Sequence, residues 1–224
     1  GWWYCLEWVC RRSGDGIMSL GSHRALLAAA GGGVVEGDPW EYLHDETLSS
    51  ATATVTFTSA GANKSFAGFK HLVAHIAIRS TAGHTYNHTS HQYMINEIDA
   101  YQAYKPMRIQ HNYSHSASSY EGPYPEGGNK GNYSVSPGSA AAANAFGHAT
   151  MYFHNINSDK PKHVSSMWFG FGINSVSSPS SGYMTQGWYP ATVLGSEDPI
   201  ERIDFVSASG YTYAAGSRFA LFGI

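Results

Sequence analysis

Polar and apolar residues alternate with a period of two along much of this chain. Between Ala51 and Thr58 the side chains of Thr52, Thr54, Thr56 and Thr58 fall on one side and those of Ala53, Val55 and Phe57 on the other, the pattern of a half-buried strand. The stretch Phe69–Ser80 repeats it, with Leu72, Ala74, Ile76 and Ile78 on one face. His71, His75 and Arg79 take the other face, beside Val73 and Ala77. Further strands are expected over 91–97, 104–113, 146–156, 162–172, 182–189, 199–206 and 217–223, rich in aromatic or β-branched residues and mostly bounded by Gly, Pro, Asn or Ser clusters. Helical periodicity is thin. Only Ser139–Phe146 and Ala25–Ala30 could hold a turn or two.

About nine or ten short strands separated by turn residues predict an all-β fold: a two-sheet sandwich, a jelly roll or a barrel. The longest irregular stretch, Ser114–Asn132, carries Gly122, Pro123, Pro125, Gly127 and Gly128 together with Tyr120 and Tyr124. Long loops of this kind are often functional. Its tyrosines either form a contact surface or pack back onto their own domain.

Composition narrows the function classes. The chain has 224 residues, 42% hydrophobic and only 13% charged, with 15 Tyr, 10 Phe and 6 Trp, enough aromatic surface for a sizeable core. A formal charge of −3, with 13 scattered Lys and Arg, argues against a nucleic-acid partner, which calls for a basic face. No apolar run approaches the roughly 18 residues of a spanning helix, so no membrane insertion is expected. Cys5 and Cys10 are the only cysteines, so the rest of the chain has neither a disulfide framework nor a thiolate metal site. The first Met is Met18. Residues 1–17 differ in composition from the rest of the chain and read as an upstream extension or an aromatic anchor.

No familiar catalytic motif occurs, and no catalytic residue or cofactor is assigned. Gly170-Phe-Gly172 lies inside a strand pattern and suits close packing or a bulge. Glu97 and Asp99, two apart, would share one strand face and are the best carboxylate pair for a glycan hydrolase. Histidine is the compositional anomaly, with 12 residues. His84, His88 and His91 are spaced closely enough to ligate a metal, but in a loop and strand that spacing fixes no geometry. Exposed imidazoles on a Ser/Thr-rich surface are the plainer reading. Sugar sites on β-sandwiches use exposed aromatic platforms flanked by amides, and the segments around Tyr133, Tyr183 and Trp188 have that mix. With Tyr120 and Tyr124 these are the candidate ligand-binding residues. Core packing of the same rings is the competing reading.

The order of segments resembles the surface structural proteins of bacteriophage virions. Leu20–Gly31 looks like their Ala/Gly lead, Thr47–Phe57 like their first core strand and Phe69–Arg79 like the strand after it. Met94–Asp99 matches an Asn-x-x-Asp turn. Gly187-Trp188, Ile200–Phe205 and Ala215–Ile224 are similar to the closing segments, the last to a terminal A-G-S-x-F-x-L-Y-G-I strand. The likeness runs over about residues 18–224 and is weakest over 100–145. It implies a jelly-roll-like antiparallel β-sandwich with a short N-terminal adaptor. Residues 18–48 would dock and residues 49–224 would form the sandwich. It further implies a non-enzymatic protein on the virion surface, as capsid decoration or tail fibre, often a homotrimer, with other virion proteins as partners. A host-surface glycan is a further expected partner if the chain serves in attachment.

Overall fold

Alternation of polar and apolar positions produces strands over much of the described chain. The computed structural model describes residues 3–6, 9–12, 18–19, 40–83, 89–100, 103–113, 118–125, 130–143, 145–172, 183–193, 197–207 and 210–224. For 3–6, 9–12, 18–19, 89–90, 105–113, 118–125, 135, 169–172 and 183–191 it describes backbone only. The chain falls into two units, Gly1–Pro39 and Trp40–Ile224. In the first, β1 (Trp3–Leu6), β2 (Val9–Arg12) and β3 (Met18–Ser19) form a small antiparallel sheet. Cys5 and Cys10 are register partners across β1 and β2.

The second unit is a sandwich of two antiparallel sheets. Its strands are β4 (Glu41–Thr47), β5 (Thr54–Thr58), β6 (Leu72–Ile78), β7 (Thr89–Ile95), β8 (Tyr104–Tyr113) and β9 (Ser118–Pro125). They continue with β10 (Gly131–Ser136), β11 (Gly147–His154), β12 (Lys162–Gly172), β13 (Tyr183–Val193), β14 (Arg202–Val206) and β15 (Arg218–Gly223). One sheet has the order β10-β7-β14-β5 and the other β4-β15-β6-β11-β12-β13-β8-β9. The all-β sandwich expected from the sequence is therefore the fold. Two 3-10 turns, Ser59–Gly61 and Phe66–Gly68, are started by the Thr58 and Ser65 side chains, which accept hydrogen bonds from Gly61 N and Ala67 N. The alanine-rich segment forms turns, with no helix among its described residues.

The sheets meet along the predicted apolar faces. Leu72, Ala74, Ile76 and Ile78 of β6 are buried, as are Met151 and Phe153 of β11 and Phe219 and Leu221 of β15. Across from them lie Val55 and Phe57, Tyr93 and Ile95, and Ile203 and Phe205 from the smaller sheet. Phe205 bridges the layers, with ring centroids 5.7 Å from Phe57 and 5.4 Å from Phe219. Each fully buried ring of this size contributes roughly 1.5–3 kcal/mol.

Three expectations need correction. Glu41–Thr47, expected in a docking segment, is instead β4, paired with β15, so the sandwich begins at Trp40 rather than at residue 49. Ser114–Asn132 is not one irregular loop: it contains β9 and the start of β10. Glu97 and Asp99 lie in the turn after β7 rather than on a strand face.

That turn is a fastening point. Asn96 and Glu97 have φ of 49° and 60° in the left-handed region, where Asn is one of the few tolerated side chains. The Asn96 side chain donates to Pro199 O at 2.8 Å and accepts from the amides of Glu201 and Arg202 at 2.9 and 3.0 Å. It thereby joins the end of β7 to the start of β14. Glu97 pairs with Arg202, whose guanidinium also grips the buried carboxylate of Asp204, and Asp99 pairs with Lys130 at 2.7 Å. The other closure is at Ile224, whose amide donates to His71 O while its carbonyl accepts from Lys70 and His71.

Candidate functional site

The eight-stranded sheet buries one face and leaves the other outward, and strand register decides which side chains meet there. One row runs Ala220, His75, Thr150 and Met167 across β15, β6, β11 and β12. The next rows carry Arg218, Ala77 and His148 on one side and Phe222, Val73 and Tyr152 on the other. A further pairing sets His154 opposite His163. Residues far apart in sequence thus form one patch of aromatic rings and imidazoles.

Its geometry is ordered by ring contacts. Trp40, just ahead of β4, stacks on His75 with centroids 5.6 Å apart and planes 17° apart. The same indole meets Tyr152 and Phe222 edge-on at 6.5 and 6.0 Å. His75 Nδ1 lies 3.2 Å from Thr150 Oγ1. Toward the far end, His154 Nε2 lies 3.2 Å from Ser165 Oγ, and His163 Nδ1 lies 3.2 Å from Thr192 Oγ1. His71 Nδ1 accepts the Asn155 amide at 3.1 Å, which puts its proton on Nε2. Desolvation lowers the pKa of His71, His75 and His154 below the ordinary histidine value, with Lys70 adding to the effect at His71 and the neighbouring histidines at His154. At neutral pH these rings are therefore neutral and can both donate and accept hydrogen bonds.

Small side chains leave hollows between the large ones. A depression of about 370 Å³ is lined by His75, Ala77, His148, Thr150, Arg218 and Phe222, among others. A second, of about 230 Å³, adjoins it through His75, His148, Ala149 and Thr150 and reaches Tyr152 and Met167. The Arg218 side chain is 63% exposed and reaches Asp45 at 3.5 Å. Asp45 also accepts from the Tyr42 hydroxyl, a contact that raises the pKa of that phenol.

The residues singled out from sequence fare differently. Tyr133 is no surface platform: it is fully buried, with its hydroxyl 2.9 Å from that of Tyr213 in the core. His91 is likewise a core residue, between Tyr133 and Tyr213, with Nε2 2.6 Å from Ser136 Oγ. Burial lowers its pKa to about 3 and leaves the ring neutral. His84 and His88 lie outside the described residues. Among the described residues no three His, Cys, Asp or Glu side chains are grouped to hold a metal ion. Tyr120 and Tyr124 are on β9, paired in register with His111 and Arg108. Tyr183 and Trp188 are on β13, and Trp188 is the register partner of Met167, in the His75 row. Sequence reasoning missed Trp40, Tyr152 and Phe222. The outward placement of His71 and His75 was its one pointer to this face.

Comparison with known protein families, curated proteins and solved structures returned no match.

Proposed function

We propose that the chain is a structural protein of a bacteriophage virion surface, working by display and adhesion rather than by turnover. The unit from Trp40 would be a jelly-roll-like head, and the residues before it the attachment to capsid or tail. Other virion proteins, and sister copies in a trimer, would be its partners. The observation that carries this reading is how the residues of the resemblance are used. Phe69–Arg79 and Ala215–Ile224 supply the neighbouring strands β6 and β15, and Met94–Asp99 supplies the end of β7 and the turn after it, beside β14 from Ile200–Phe205. Asn96 spends its side chain on the backbone of 199–202. Such residues join strands and fill a core, as a scaffold requires. Repeating a shallow adhesive face over many copies would turn weak contacts into avidity.

Labelled antibody against the chain, applied to intact phage particles from the same source, is expected to mark the particle surface. Label on the head shell would mean decoration, and label at the tail tip attachment. Particles free of both label and the chain's peptides by mass spectrometry would overturn the proposal. A second reading, a carbohydrate-recognition module, is favoured by one observation: the rings of Trp40, Tyr152 and Phe222 gathered with His75 on an outward sheet face. Turnover of host polysaccharide, lost in Glu97→Gln or Asp99→Asn, would instead favour a glycan hydrolase.

A further inference from the structure

We propose that the paired hollows on the outer face of the eight-stranded sheet bind an acidic saccharide, a pyranose bearing a carboxylate. The inference does not rest on the virion assignment, since such a site could belong to any adhesive protein.

Shape comes first. Ala77 and Ala220 sit diagonally between His75, His148, Arg218 and Phe222, so the sheet is low there and walled by rings. Because the second hollow shares His75, His148, Ala149 and Thr150 with the first, the trough continues across β11 to Met167 on β12. Met167 is 54% exposed, which leaves that end open and lets a chain of sugars continue past a single ring.

The chemistry then selects among ligands. Phe222 offers the apolar contact that one face of a pyranose ring seeks. His75, Thr150 and His148 offer hydrogen-bonding groups matched to hydroxyls, and the neutral state of His75 lets it act in either sense. No Asp or Glu lines either hollow, whereas a guanidinium does. A carboxylate would therefore meet a cation; the nearest acid, Asp45, is the register partner of Ala220 on β4 and is held by the Tyr42 hydroxyl and Arg218. Arg218 is able to turn to it: its Asp45 contact is long, and Asp45 keeps the Tyr42 hydroxyl as a partner. Guanidinium–carboxylate pairing can be bidentate and is among the stronger polar contacts.

The test titrates the full chain with polygalacturonate and sialyllactose, and with dextran and lactose as neutral counterparts, by calorimetry and by NMR shifts of the His75 and His148 rings. Both acidic probes should bind at this face and the neutral ones far more weakly. Arg218→Gln should weaken acidic binding about tenfold, with Arg218→Lys intermediate, while leaving the neutral probes unchanged. His148→Ala should weaken the acidic probes as well. The variants lie at exposed positions, and unchanged melting curves would show that the fold is intact. The inference fails if no acidic probe shifts these rings, or if Arg218→Gln binds as the parent does. It also fails if sedimentation shows the face closed by a second copy of the chain and no sugar displaces it.

Discussion

Two tyrosines that look interchangeable in sequence have opposite roles. Tyr104 is buried, and its hydroxyl accepts from Ile95 N at 2.9 Å and donates to Ile98 O at 3.1 Å, closing the turn after β7. Tyr93 is as deeply buried, but its hydroxyl has no hydrogen-bond partner among the described residues. Tyr104→Phe should therefore cost about 1–2 kcal/mol in urea unfolding, whereas Tyr93→Phe should be neutral or stabilising. Equal losses in the two variants would contradict this account. His91 supplies a pH dependence. Its folded pKa of about 3 lies below the unfolded value of about 6.5, so the unfolded state gains the proton first as pH falls. The stability is complete above about pH 6.5 and is lost progressively toward pH 3, by about 1.4 kcal/mol per unit. Between pH 7.5 and 5.0 the parent should lose about 2 kcal/mol more than His91→Gln. Parallel pH profiles would refute the assignment.

Within the sandwich every interior strand is legible in the chain, and of the edge strands only β5 is. The interior strands β6, β8, β11, β12 and β15 fall where alternation placed them, because an inward face in a packed sheet demands apolar residues at every second position. Within the sandwich, the strands that the linear pattern hides, β4, β9 and β10, all lie at sheet edges. β4 carries Glu41, Asp45 and Glu46, and β9 carries Pro123 and Pro125, residues that edges accept and that read as loop in a linear scan. Tyr133 misled for the same reason: Asn and Ser surround it in sequence, yet the pleat turns it inward. The turn element allows a direct check. Asn96→Ala removes three hydrogen bonds and places Ala at positive φ, and should cost about 2–4 kcal/mol. Asn96→Gly restores the backbone but not the bonds, and should recover part of that loss in the same denaturation experiment. Full recovery by Gly would show that the hydrogen bonds contribute little.

At the scale of the molecule, the candidate site could not be read from the chain because its parts meet only through distant pairings. Trp40, His75, Tyr152 and Phe222 become neighbours because β15 enters between β4 and β6. No local pattern encodes that insertion. Those same edges bear on how copies could gather. Pro123 and Pro125 lack amide hydrogens, and β9 ends its sheet, so a strand approaching from outside would find gaps in the row of donors it needs. Growth of one continuous ribbon from molecule to molecule is disfavoured along that border.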